Sequence, residues 1–145
     1  MYFVDRDKIE KTLHFFEMNM ELLESQSTWT STLEKKALER IVQLLIESIL
    51  DVGNSMIDGF IMRDPGSYDD IIDILEDEKV VTKDQANGLK EIIRYRKVLV
   101  QDYLDIEHQK LNEIVKKNKT SLSLFPQAIR TYIENELGPV SAFKN

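Results

Sequence analysis

From Ser31 to Phe60 the chain reads STLEKKALERIVQLLIESILDVGNSMIDGF, and this stretch decides the fold class. Ser31 followed by Glu34 is a capping box, in which the serine oxygen and the glutamate carboxylate each satisfy a backbone N–H at a helix start. Behind it an apolar line runs through Leu33, Ala37, Ile41, Leu44, Leu45, Ser48, Val52, Met56 and Phe60. That spacing predicts one long helix with a buried side. Gly53 and Gly59 interrupt it at about 1 kcal/mol each against alanine. They either admit a close helix neighbour or are simply tolerated. A second line, Gln43, Glu47, Asp51, Asn54 and Asp58, lies beside the apolar one and reads first as a solvated flank.

Helical spacing continues on both sides. Asp5 caps a first helix running to about Ser25, with Ile9, Leu13, Phe16, Met20 and Leu23 inward. The loop from Gln26 to Thr30 carries Trp29, the one tryptophan of the chain. After the loop Arg63 to Ser67, Ser67 and Asp70 open a short third helix holding Ile71, Ile72, Ile74 and Leu75. Thr82 and Gln85 form another capping box, predicting a fourth helix to about Gln101. Asp105 is the expected cap of a fifth, to about Lys117. A sixth runs from Thr120 or Ser121 to Leu137, with Pro126 in its first turns and Gly138-Pro139 as its stop. The expectation is an all-α bundle of five or six helices, with the second and fourth as its central pair, forming one domain over residues 1–145. There is no internal repeat, linker or low-complexity stretch.

The bulk numbers agree. A chain of 145 residues is long enough to bury a core without staples. It has no cysteine, so disulfides and thiolate metal sites are excluded. No apolar run approaches the ~20 residues of a membrane helix, and the N-terminus lacks a signal-peptide core. The expected location is therefore cytoplasmic. A net charge of −7 argues against a surface coated for long duplex nucleic acid, but leaves room for a small basic cleft. Basic residues gather at Lys90, Arg94, Arg96 and Lys97, and again at Lys116, Lys117 and Lys119; the plain reading of both groups is a solvated helix face.

Zinc-protease, phosphate-loop and nucleophile-elbow motifs are missing. His14 and His108, the two histidines, are far apart and read as ordinary surface or core residues. Arg96 is different. It falls in line with Leu89, Ile92, Ile93, Val100 and Tyr103 on the fourth helix, so its guanidinium requires an acceptor. It either pairs with a carboxylate and locks two helices, or waits for a phosphate that its planar fork matches. Glu47 or Asp51 would be its natural partner.

The stretch Arg96-Lys97-Val98-Leu99-Val100-Gln101-Asp102-Tyr103 resembles the HepT-like motif of the HEPN family: Arg, four residues, His, one residue, Tyr. Arg40 to Gln43, through Glu47 and Asp51 to Asn54, is similar to the family's second-helix pattern, and Asp69 to Val81 also fits. The resemblance implies a homodimer whose motifs meet across a cleft, and RNA cleavage that needs no metal or other cofactor. Arg96 would bind the phosphate, Lys97 would add positive charge, and Glu47 or Asp51 would orient Arg96. Gln101 stands where the family has its catalytic histidine, and Lys97 where it usually has asparagine. An imidazole takes and gives a proton near neutral pH, whereas a glutamine amide only hydrogen-bonds. Cleavage is therefore expected to be weakened or lost, with Gln101 a residual polar contact.

Tyr103 matches the tyrosine that a nucleotidyltransferase antitoxin modifies with AMP in such pairs; a tyrosine packed at a helix end is the alternative. On one straight helix, Arg96 and Gln101 lie about 140° apart at ~100° per residue, so a shared site requires a bend, an end near Val100, or a second subunit. His108 lies beyond the expected helix break and is not a replacement for the missing histidine. A non-catalytic RNA-binding or protein-interaction module remains the second reading.

Overall fold

Each side-chain cap read from the sequence sits at a real helix start, with one exception. The computed structural model describes residues 2–138, and within them the order is α1 (Arg6–Glu24), α2 (Thr32–Gly59), α3 (Tyr68–Asp77), α4 (Lys83–Ile93), α5 (Tyr95–Val100), α6 (His108–Lys117) and α7 (Lys119–Leu137). Asp5, Ser31, Ser67 and Thr82 all accept backbone N–H groups of the first turns that follow them. Both capping boxes close reciprocally; Glu34, for instance, accepts from the Ser31 N–H at 2.9 Å while Ser31 accepts from the Glu34 N–H at 3.1 Å. The protein is all-α, as the periodicity predicts. Pro139, the expected helix stop, lies outside the described residues.

Three expectations need correction. The fourth helix does not run unbroken to Gln101: it turns at Arg94 and resumes as α5, which ends at Val100. The fifth does not start at Asp105, because Tyr103–Asp105 winds into a tighter 3₁₀ turn and Ile106 is extended. Glu107 instead precedes α6, without a side-chain cap. The third concerns packing. The second and fourth helices are not the central pair, since α2 packs chiefly against α1, while α4 lies on α3 and α7 and only its continuation α5 packs substantially on α2. The break at Arg94 divides these tasks between two short helices.

The buried face of α2 is also centred differently from the expected line. Leu38, Val42, Leu45, Ile46, Ile49 and Met56 are fully buried, whereas Leu33 is 81% exposed and Ala37 is exposed. The line through positions 33 and 37 follows the edge of a wider apolar face. On α1, all five expected inward residues are buried. Arg130 ties α7 to α1, donating to Glu10 at 2.8 Å and to Glu17 at 2.8 and 2.9 Å. That donation holds the Glu17 carboxyl below its ordinary range.

Close approach explains two glycines. A Cβ on Gly53 would come within 2.5 Å of the Ile71 Cγ2 on α3. One on Gly88, in α4, would lie 2.7 Å from the Ser121 Cβ on α7. Ile61 sits just past α2 at φ 57, a left-handed conformation that a β-branched residue resists, while the Met62 N–H closes on the Ile57 carbonyl at 2.9 Å.

Two stability measurements check this packing by urea unfolding. Gly88→Ala lowers the unfolding free energy by about 1–3 kcal/mol, because overpacking outweighs the ~1 kcal/mol gain in helix propensity. Ile61→Asn raises it by about 1 kcal/mol, since asparagine tolerates the left-handed region better and Ile61 is largely exposed.

Candidate functional site

The turn at Arg94 sets the site. Arg94 donates to Asp69 at 2.8 and 3.1 Å, and Lys90 donates to Asp73 at 2.8 Å, so the end of α4 is fastened to α3 by ion pairs. The Asp73 contact raises the Lys90 pKa above its ordinary value. Beyond the turn, Leu99 buries against the core and orients the short helix α5. Arg96 then points toward α2, where its Nε donates to Glu47 Oε1 at 2.7 Å. Its guanidinium carbon also lies 4.8 Å from the centroid of the Tyr68 ring. An acceptor on α2 and an aromatic ring on α3 therefore hold one arginine, which is 27% exposed in its side chain.

The geometry leaves part of Arg96 unspent. Only Nε has a protein acceptor among the described residues; neither terminal nitrogen does. Those nitrogens are the fork of a guanidinium, the shape that grips two oxygens of a phosphate or carboxylate. Asp51 is exposed and makes no bond to Arg96, so Glu47 is the partner of the two candidates.

The motif's other residues sit on the surface where α5 ends. The Gln101 N–H closes the last turn on the Lys97 carbonyl at 2.8 Å, and its amide is exposed. Tyr103 opens the 3₁₀ turn and is 60% exposed, its hydroxyl making no hydrogen bond to the described residues. Arg96 and Gln101 thus share one helical run, Gln101 being in αR conformation at its end, so they stay about 140° apart around α5 at ~100° per residue. Lys97 is exposed and has no carboxylate within ion-pair distance among the described residues.

The two basic groups mostly disappear into ion pairs. Lys90, Arg94 and Arg96 pair with Asp73, Asp69 and Glu47, and Lys117 and Lys119 pair with Glu91 and Glu24. Lys97 and Lys116 remain unpaired among the described residues. His14 is an exposed neighbour of Glu10 at 3.3 Å. His108, in contrast, is largely buried and places Nε2 2.6 Å from Glu39 Oε2.

Two participants escaped the sequence reading. Tyr68 gave no signal, because its ring meets Arg96 only through the packing of α3. Glu39 did leave one: it stands four residues before Gln43 and extends the polar line of α2 by another step. Among the described residues, no group of three or more metal-binding side chains converges, and no helix is long and apolar enough to cross a membrane.

A sequence model described as ribonuclease HepT-like matches residues 7–129. YutE of Bacillus subtilis (strain 168), described as a candidate RNase, is 61% identical over 144 residues, spanning 99% of this chain and 100% of YutE. The solved structure of YutE, described as a cytosolic protein, matches with a TM-score of 0.95. A HEPN toxin of Shewanella oneidensis, solved tri-AMPylated and in complex with its MNT antitoxin, is 15% identical with a TM-score of 0.77, covering 87% of this chain and 98% of that one. It shares the fold.

A double-mutant cycle on stability separates Glu47 from Asp51. Arg96→Ala with Glu47→Ala shows a coupling of about 0.5–1.5 kcal/mol, modest because both side chains are partly exposed, and Arg96→Ala with Asp51→Ala shows none beyond error.

Proposed function

The chain belongs to the ribonuclease HepT-like family, in the HepT-like branch of HEPN proteins, and we propose that it engages RNA with its metal-independent cleavage weakened or lost. The observation that carries the reading is the state of Arg96. Glu47 and Tyr68 fix the side chain, while its terminal nitrogens make no bond to the described residues and are not sealed from solvent. A guanidinium fastened through Nε alone is prepared for a phosphate before any phosphate arrives, so little ordering is lost on binding. Lys97, exposed and without an ion pair among the described residues, adds positive charge to α5.

Cleavage in this family draws on a histidine that helps remove the proton of an RNA 2′-hydroxyl. Gln101 occupies that motif position, and an amide has no lone pair basic enough for the task. General acid–base assistance contributes ~10²–10⁴ in rate, so its loss leaves phosphate binding with slow chemistry. The proposal includes a cytoplasmic twofold homodimer of single-domain subunits, in which two copies of α5 and its following turn share a cleft.

Tyr103 is proposed as a modification site for a nucleotidyltransferase antitoxin. Its hydroxyl is accessible, as transfer of AMP from ATP demands: the phenol oxygen bonds to the α-phosphorus and pyrophosphate leaves. The Shewanella oneidensis toxin of the same fold was solved AMPylated beside such a partner. The second reading, a non-catalytic RNA-binding or protein-interaction dimer, is favoured by the absence of any proton-transferring side chain at position 101.

Cleavage of end-labelled single-stranded RNA and tRNA, with a metal chelator present, tests the proposal. Gln101→His is expected to cleave at least ~10²-fold faster than the native chain, and adding Arg96→Ala is expected to abolish that gain. Native cleavage as fast as that of Gln101→His would contradict the weight placed on position 101. No cleavage by Gln101→His would favour the non-catalytic reading.

A further inference from the structure

Beside the N-terminus of α6 the surface opens into a groove of about 720 Å³, walled on its other side by the loop ahead of α2. Its polar lining includes Thr28, Trp29, Lys35, His108, Gln109 and Lys116. Three independent observations give this groove a chemical preference.

The first is charge. Lys35 and Lys116 have no carboxylate within ion-pair distance among the described residues, while their chain neighbours Lys36 and Lys117 do. Two nearby carboxylates are already engaged: Glu34 accepts the Thr30 and Ser31 N–H groups, and Glu39 holds His108 and Lys36. The second is Trp29, which is 9% exposed and whose indole N–H has no protein acceptor. No fully buried side-chain nitrogen among the described residues lacks a partner, so this N–H lies open at the groove that the residue lines. A nine-tenths-buried indole with a free donor is aimed at something outside the chain.

The third is His108. Glu39 fixes its Nε2, its Nδ1 has no partner among the described residues, and the residue stands at the first position of α6. Glu107, which precedes that helix, makes no side-chain cap, so the first-turn N–H groups are left to other acceptors. Cationic and neutral donors thus line one groove, with Glu34 and Glu39 turned to other partners.

The phosphates of a single strand satisfy this set, supplying oxygens for the ammonium, indole and helix-start donors. We propose that the groove binds a nucleotide segment of single-stranded RNA and extends the Arg96 contact along α2. Glu39 and Glu47 lie eight residues apart on α2, about 12 Å at 1.5 Å per residue, so His108 and Arg96 are anchored along one ridge. One strand lying along α2 reaches both. The inference rests on the reading of the chain as an RNA-engaging protein.

Trp29 is the one tryptophan, so its emission reports the groove directly. The full chain is titrated with a short single-stranded oligoribonucleotide, following Trp29 emission and the anisotropy of the same end-labelled oligonucleotide. AMP and inorganic phosphate are titrated in separate arms. Emission and anisotropy are expected to saturate together. The Lys35→Gln, Lys116→Gln double variant, folded by circular dichroism, is expected to bind about tenfold more weakly. Arg96→Ala is expected to weaken binding while retaining the full Trp29 change at saturation. Binding seen by anisotropy, with constant Trp29 emission and no effect of the lysine substitutions, would overturn the groove and leave the RNA reading standing. Binding in neither readout would overturn both. AMP or phosphate matching the oligonucleotide in affinity would contradict a strand site and indicate a mononucleotide or phosphate site.

Discussion

The bond from Arg96 to Glu47 is the constraint around which the surface of this protein is arranged. A guanidinium drawn three-quarters out of water needs an acceptor, and the acceptor comes from another element because α5 holds no carboxylate. Meeting that need brings α5 against α2, and the Tyr68 ring at the start of α3 completes the enclosure. Lys90 and Arg94 fasten α4 to α3, and α5, beyond the interruption at Arg94, is the part that packs on α2.

Helix α2 is then more than a core element. Its inner face, from Leu38 to Ile57, holds the apolar packing, and its flank supplies carboxylates at a regular interval. Glu39 takes His108 and Glu47 takes Arg96, two basic side chains from different elements spaced along one rod. In a chain of net charge −7, many cations stand outside ion pairs among the described residues, so placement is what distinguishes them. Lys97 stands beside Arg96 in sequence, and Lys35 and Lys116 line the groove by Trp29. Anion binding by an acidic protein rests on such unspent cations rather than on net charge.

Helix identity and caps were legible because they depend on neighbours in sequence. Ser31 with Glu34 and Thr82 with Gln85 specify helix starts without reference to the rest of the fold. The fold class and the family resemblance followed from the same local patterns. What failed to show was tertiary. The exposure of Leu33, the turn at Arg94 and the partnership of α2 with α1 all depend on which surfaces meet, and apolar spacing leaves the phase of a wide face open by about one residue. At the site, Arg96 announced itself as a charge in an apolar line and Glu47 as a candidate acceptor. Tyr68 did not, since nothing in its local sequence marks a ring destined for a guanidinium. His108 looked ordinary because its significance comes from Glu39, which lies 69 positions away in sequence.

The central claim is that Arg96, held by Glu47, meets an RNA phosphate through its free terminal nitrogens. The salt dependence of single-stranded RNA affinity tests it most directly, comparing the native chain with Arg96→Ala. Each neutralised phosphate contributes a slope of about −0.7 in log affinity against log salt. The account predicts weaker binding by Arg96→Ala and a slope shallower by about 0.7. Equal affinities and parallel slopes would contradict it, leaving Arg96 as a strut between α5 and α2 and nothing more.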